Sequence, residues 1–385
     1  MAASRVFSQH PFTPTSPWNT PLGNDAEFAS AAAIKNLTTP QFNGSSNNFS
    51  VGIGVATAAD PVAEVRFTPG AGRTGSAFNF LDGGGLNSGN TAADEAFLLR
   101  WSIGNYPYGD HPVHYHSTTN ADDSSLYAPP TDPRLKHPLT GWNPYFYLPA
   151  GIVPSPDDDG HLAVFQPDGR CLEFSSAIIT TARDAVYCTF ANYTDPFGVG
   201  DGWANGMRAS GLPNYAGLLR AGELASGAIN HALICYISPT VLSEEFRYPA
   251  VSFDRSSGYT GSIPMGSLLA IPPDVDLRKI GLTTPQGYIV GMCLQTYGVY
   301  IVDRGGSGGM TFRSEVANPD VTDAAWDHTA QAADLTTLRR HLAIVSNNSE
   351  TALGGGGARR VPPKAIGSKL FNHQSDHFPV ALDAI

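Results

Sequence analysis

The stretch SPDDDGHLAVFQPDGRCLEF, residues 155 to 174, decides how this chain is read. At its centre, Gln166-Pro167-Asp168-Gly169-Arg170 is a turn signal. Proline presets the backbone of the first turn residue, and glycine takes a left-handed conformation without strain. This is the chemistry of a three-residue hairpin loop closed by a glycine bulge. Pairing then sets residue 166 opposite 170, 164 opposite 172 and 163 opposite 173. Side chains alternate along a strand, so Leu162, Val164, Leu172 and Phe174 share one face. That face is wholly apolar and must point into a core. The other face carries His161, Ala163, Phe165, Cys171 and Glu173.

This second face raises the functional question. His161 lies diagonal to Glu173, and diagonal neighbours in a sheet stand roughly 7–8 Å apart, within reach of long side chains. Antiparallel sheets commonly show one face to water, so one expectation is an ordinary solvated pair. The other expectation is a working pair on the concave face of a curved sheet. A carboxylate beside an imidazole keeps its proton affinity near working pH, which suits a general acid or base. Asp159, last of the run Asp157-Asp158-Asp159 at the strand entrance, adds a further carboxylate.

The rest of the chain extends the same pattern. Residues 1–50 are polar with little periodicity and read as an extended arm. Residues 51–115 contain the short apolar runs VGIGVATA, AEVRFTP, AFNFL, AFLLRWSI and PVHYH between Gly/Asn-rich turns, and these read as strands. Residues 117–146 form a long loop of the kind that usually carries function. Strands return over 147–190. A Gly- and aromatic-rich loop, a short helix LLRAGELASG capped by Gly227, and a strand AINHALICYIS follow. TTPQGYIVGMCLQTYG is the clearest helix: Thr284 can cap it, Pro285 fits its first turn and Gly298 can end it. VYIVD is the strand after it. Gly354 to Gly357 read as a flexible surface link.

The chain has 385 residues, 42% of them hydrophobic and 15% charged, with 41 glycines and 30 prolines. That is enough material for a large core divided by many turns, which favours a β-rich protein. We expect a large jelly-roll-type β-sandwich with a few peripheral helices. Residues 51–315 would form it, with the 1–50 arm and a 316–385 segment packed on the same domain. The net charge of −11 and the lack of any Lys/Arg run argue against nucleic acid as a partner. No apolar run is long enough for a membrane span. Scarce lysine and abundant Asn, Ser, Thr and Gly suit an extracellular protein. Since the first residues lack a signal-type apolar stretch, that expectation carries with it a leader already removed. The four cysteines, Cys171, Cys188, Cys235 and Cys293, allow three pairings. Cys171 and Cys188 suit a cross-strand bridge, with four buried thiols as the alternative.

Other constellations carry chemistry. In DHPVHYH, residues 110–116, His114 and His116 point the same way, as half of a site for Zn, Cu, Mn or Fe would. No cofactor is demanded, and a divalent metal here is the open alternative. Tyr115 between them can serve as an acid. His231 lies in the strand after the short helix, flanked by apolar same-face neighbours. Arg220 and Glu223 stand three apart on that helix. Trp142, Tyr145 and Trp203 are loop aromatics whose flat faces can stack on sugar rings. No nucleophile elbow, phosphate loop or HExxH metal motif is present.

Several segments together, SPWNTPL, HPVHYH, DDDGHLAVFQPDGRCLEF, ASGLPNYAGLLRAGELASGAINHAL, IPMGSLLAIP and YGVYIVDRGG, resemble a family of uncharacterised secreted bacterial β-sandwich proteins of actinobacterial type. The organisation is also similar to jelly-roll polysaccharide lyases and glycan-binding sandwiches. The family resemblance carries no mechanism of its own, and fold does not give function. From the hairpin face and the loop aromatics we expect an extracellular enzyme that cleaves glycosidic bonds of a polysaccharide in a surface groove. Its first candidates are His161, Glu173 and Asp159, with His114, Tyr115 and His231 behind them. Trp142, Trp203, Tyr145 and Arg220 would bind substrate. A hydrolase would use two carboxylates, and a lyase would use a histidine base with Tyr115 as acid. The alternatives are a non-catalytic glycan-binding or cell-surface protein, and a metal-dependent enzyme, oxidative or not, using His114 and His116.

Overall fold

The computed structural model describes residues 9–38, 41–42, 51–67, 145–155, 160–175, 177–188, 190–204, 206–253, 259–306 and 308–361. His114, Tyr115, His116, Trp142 and Asp159 therefore lie outside the described residues, as does most of the long loop.

In chain order the strands are β1 (Phe28–Ser30), β2 (Gln41–Phe42), β3 (Gly52–Val55), β4 (Val62–Phe67), β5 (Tyr145–Tyr147), β6 (Leu162–Phe165), β7 (Cys171–Ser175), β8 (Ile178–Ile179), β9 (Ala185–Cys188) and β10 (Phe190–Thr194). They continue with β11 (Leu233–Ile237), β12 (Leu242–Phe246), β13 (Ile263–Met265), β14 (Leu268–Ala270), β15 (Val299–Arg304), β16 (Met310–Phe312) and β17 (Ala343–Val345). The α-helices are α1 (Ala32–Lys35), α2 (Glu223–Ser226), α3 (Pro285–Thr296) and α4 (His328–Arg340). The chain is mainly β, with several sheets and few helices. It divides into two compact units, each discontinuous in sequence: residues 1–16, 46–216 and 250–257, and residues 17–45, 217–249 and 258–385.

In the first unit, one four-stranded sheet has the order β10-β7-β6-β3 and another the order β5-β4-β9-β8. The hairpin of residues 162–175 takes the register its turn dictates: Ala163 faces Glu173 and Val164 faces Leu172. Gly169 closes the turn with φ 87, a conformation that penalises any side chain. The apolar face of the hairpin points inward as expected. Leu162, Val164, Leu172 and Phe174 share a buried cluster with Val65, Phe146, Val186 and Cys188 of the other sheet. At the free edge of β5, the side-chain amide of Gln166 donates to the carbonyl of Tyr147 (3.0 Å) and accepts from its N–H (2.9 Å). This pairing caps backbone groups that an edge strand would otherwise leave open.

The cross-strand bridge does not form. Cys171 and Cys188 belong to different sheets, β7 pairing with β6 and β10, and β9 with β4 and β8. All four cysteines are buried thiols.

The second unit is built on a seven-stranded sheet with the order β1-β17-β14-β15-β11-β16-β2. Its centre is the parallel pair β11–β15, flanked by antiparallel β14 and β16. The runs LICYI and VYIV are buried on both faces, which explains why they are continuously apolar rather than alternating. The arm contributes more than a wrapping. Residues 28–30 and 41–42 supply the two edge strands, and Trp18, Leu22, Ile34 and Phe42 are buried. Helix α3 starts as its sequence requires, with Thr284 Oγ1 accepting from the N–H of Gly287 at 3.0 Å and proline in the first turn. Gly298 follows its end at φ 81. Helix α4 was not expected. Asp327 caps it through the N–H of Ala330 (2.8 Å), and Arg339 and Arg340 close it near the negative end of the helix dipole. The glycine run is no flexible link either. Gly354 to Gly357 all have positive φ, Gly354 and Gly355 are buried, and Gly356 packs so close to Gly23 that a side chain on the latter would overlap its carbonyl.

Candidate functional site

Two clusters of buried polar side chains stand out, one in each unit. In the first unit the second face of the hairpin is neither wet nor a groove. His161 is 4% exposed and Glu173 fully buried. The cover is the loop of residues 206–216, with Phe12: Tyr215 stacks on Phe12 at 5.4 Å between centroids and meets Phe165 edge-on at 5.1 Å.

Glu173 anchors this loop. Its Oε2 accepts from the backbone N–H of Asn214 (2.7 Å) and of Met207 (3.2 Å), and its Oε1 accepts from the hydroxyl of Thr194 (2.7 Å). Thr194 in turn lies 3.1 Å from the hydroxyl of Tyr215. Asn214 extends the tie by donating to the carbonyls of Leu162 and Phe174 at 3.3 Å each. His161 receives a hydrogen bond at Nδ1 from Nη1 of Arg208 (3.1 Å), and Nη2 of the same guanidinium donates to the carbonyl of Asn214 (2.8 Å). A guanidinium only donates, so Nδ1 of His161 is the acceptor in this contact. Burial pushes the Glu173 carboxyl up to about 7, against the pull of its donors and of Arg208. Burial also holds the Tyr215 hydroxyl well above its usual range.

In the second unit, His231 and Glu223 come together as the sequence order of helix and strand allows. Nε2 of His231 lies 3.0 Å from Oε1 of Glu223, and Nδ1 lies 2.9 Å from the carbonyl of Ala232. The side chains of Arg220 and Glu223 do not form the expected helix pair. The carboxylate of Glu223 takes the backbone N–H of Arg220 (2.8 Å), and the guanidinium of Arg220 goes to Glu315 (2.7 Å). The reason is the helix itself, which is only the four residues of α2 and begins after Arg220.

Of the remaining candidates, Trp203 is partly exposed in a short 3-10 turn, Gly202–Ala204. Tyr145 is 54% exposed. Across the antiparallel pair, Glu64 faces Tyr145 and Val62 faces Tyr147, so these four side chains share the outward face of their sheet. Val62 is also 54% exposed. Among the described residues, no group of three or more His, Cys, Asp or Glu could hold a metal ion. No helix among them is long and apolar enough to cross a membrane.

Sequence reasoning placed His161 and Glu173 on one face but missed Thr194, Arg208 and Asn214, which occupy them, and Glu315 and Asp320, which complete the second cluster. The run RASGLPN, with its glycine and proline, marked a tight loop but not its destination. No protein-family model matches the chain, and no curated protein or solved structure does either.

Proposed function

We propose that this protein binds a polysaccharide outside the cell, through the outward face of the β5-β4-β9-β8 sheet. The observation that carries the reading is the exposure of Tyr145 on that face, beside Tyr147, Val62 and the carboxylate of Glu64. Tyrosine rings present a flat apolar surface for the C–H face of a sugar, with a hydroxyl at the rim for hydrogen bonding. A neighbouring carboxylate accepts from sugar hydroxyls. The two sheets of the first unit share one apolar cluster, as in a sandwich carrying such a face, although each holds a parallel pair, β3–β6 and β4–β9, that an antiparallel jelly roll lacks. The test is affinity electrophoresis against a panel of polysaccharides. Tyr145→Ala should lose retardation on the glycan that slows the parent with unchanged thermal unfolding, and Tyr147→Ala should lose it with some loss of stability, because Tyr147 packs against the buried cluster. Equal retardation of parent and both variants would refute the assignment.

A second reading is cleavage of the polysaccharide. The Glu173 carboxyl, raised to about 7 by burial, lies beneath the 206–216 loop, so this reading requires that loop to open before Glu173 could act as a general acid. Asp159 would be the second carboxylate of a hydrolase, and His161 or His114 with Tyr115 the base and acid of a lyase. His114 and His116 would serve instead if a divalent metal takes part. New reducing ends, with or without the ultraviolet absorbance of unsaturated uronates, identify each case. Their dependence on chelator identifies the metal case.

A further inference from the structure

His231 stands at the head of β11, buried, with acceptors at both ring nitrogens: the carbonyl of Ala232 at 2.9 Å and a carboxylate oxygen of Glu223 at 3.0 Å. A neutral imidazole has one N–H and one lone pair. In either neutral tautomer, a lone pair would face an oxygen across hydrogen-bond distance. Only the doubly protonated ring satisfies both neighbours. The charged groups around it agree. Glu223 also accepts from the N–H of Arg220, and Glu315 takes both the Arg220 guanidinium and the N–H of Ala221 (2.6 Å). Asp320 accepts from the N–H of Leu224 (2.9 Å). From α3, the thiol of Cys293 donates to the backbone carbonyl of His231 at 3.2 Å. The Arg220 guanidinium is thus matched by Glu315, which leaves the Glu223 carboxylate to face His231. Burial and Arg220 oppose the charge on His231, but Glu223 and the Ala232 carbonyl outweigh them and raise its proton affinity above the usual value.

We propose that His231 is a proton-operated clasp: as an imidazolium it ties the 220–227 turn, through Glu223, to the head of β11, and loss of that proton releases the turn. The turn is poorly held by its own backbone. It contains a single helical turn bounded by Gly222 and Gly227, both left-handed, and one isolated turn is unstable without side-chain ties. β11 is paired on both sides and stays in place. A raised folded-state value means that the tie is complete below the ordinary 6.5 and is lost as pH rises through the raised value.

The experiment uses the full chain labelled with ¹⁵N-histidine. Long-range ¹H–¹⁵N spectra should show both His231 nitrogens protonated at about pH 7, with a midpoint above 6.5. Amide exchange of peptides within 218–233 should accelerate by up to roughly a further tenfold per pH unit between 6.5 and that midpoint, beyond the intrinsic base dependence, and should keep only the intrinsic dependence above it. Peptides covering 299–304 should follow the intrinsic dependence alone. Glu223→Gln keeps the ring and removes its counter-charge, so it should lower the midpoint. His231→Gln, which also assigns the resonance, should abolish the extra acceleration. A single protonated nitrogen at neutral pH, a midpoint at or below 6.5, or an extra acceleration that persists in His231→Gln would overturn the clasp. If His231→Gln does not fold, the parent spectra and Glu223→Gln still decide.

Discussion

Replacing Glu173 by glutamine isolates what its ionisation does to the fold. Glu173 is fully buried, and its carboxyl is pushed from an ordinary 4.5 to about 7. The folded state therefore binds the proton more tightly than the unfolded chain. Between these two values the folded state holds more protons, so stability falls as pH rises. The gap corresponds to a loss of about 3 kcal/mol on going from below pH 4.5 to above pH 7, as an upper bound on one group. Glutamine can reproduce the neutral form. Its carbonyl oxygen can accept from Met207 and Asn214, where Oε2 does now. Its amide can donate to Thr194, whose hydroxyl then turns to the carbonyl of Cys171, 3.4 Å away. Urea unfolding followed by circular dichroism at several pH values is the assay. Near pH 5, Glu173→Gln should match the parent within about 1 kcal/mol, in line with one exchanged hydrogen bond. Near pH 8 it should be the more stable protein by about 2–3 kcal/mol. Glu173→Ala should lose about 3–5 kcal/mol throughout, because it leaves buried donors without an acceptor and opens a cavity. A parent with flat pH dependence, together with Glu173→Gln destabilised at every pH, would refute the argument. Glu173 would then be ionised, its three donors outweighing burial.

Three further outcomes follow from single contacts. Gly287→Ala usually stabilises an exposed helix, but here the added carbon overlaps the carboxylate of Asp334, so a loss of about 1–3 kcal/mol in thermal unfolding is expected. Asp334→Ala should cost more, since that carboxylate accepts from the backbone and hydroxyl groups of Thr283 and Thr284 at the start of α3. The four buried thiols should resist a thiol reagent in the folded protein and all react in denaturant, and a titration of only two in denaturant would show a disulfide.

The parts of the fold legible in the sequence are those whose determinants are local. The turn residues Pro167 and Gly169 fixed the hairpin register, and the register fixed the core face. Thr284, Pro285 and Gly298 marked both ends of α3 within one continuous stretch. Helix α4 was equally local, capped by Asp327 and closed by two arginines, but its segment HTAQAADLTTLRR is too polar to draw the eye. Its buried face is made by Gln331, Asp334, Leu335, Leu338 and Arg339, a mixture that no hydrophobic pattern reveals. The glycine run misled for a related reason. A string of glycines suits a loose link, and it equally suits a backbone that must turn left-handed four times and touch another backbone.

What the alternation of the hairpin could not supply was the identity of the layer over its second face. Residue spacing says that His161 and Glu173 point away from the core, and water is only one of the things that can lie there. The cover arrives from residues 206–216, more than thirty positions downstream, and its own sequence is a loop with no periodicity to pair with the strand. Yet the residue types on the covered face are informative in retrospect. A loop has no ladder to occupy its backbone groups, so a sheet face that receives one must offer acceptors and donors at fixed places. Glu173 supplies the acceptor for two loop N–H groups, and Asn214 returns donors to two strand carbonyls. A face of this composition, one histidine and one glutamate among alanine, phenylalanine and cysteine and with no lysine, is what a strand covered by a loop should look like. The same reasoning applies to His231 and Glu223, where the polar side chains hold a single helical turn against the head of β11. In both units such a pair lies where irregular backbone meets regular structure, and there burial raises the proton affinity of Glu173 while Glu223, against burial, raises that of His231.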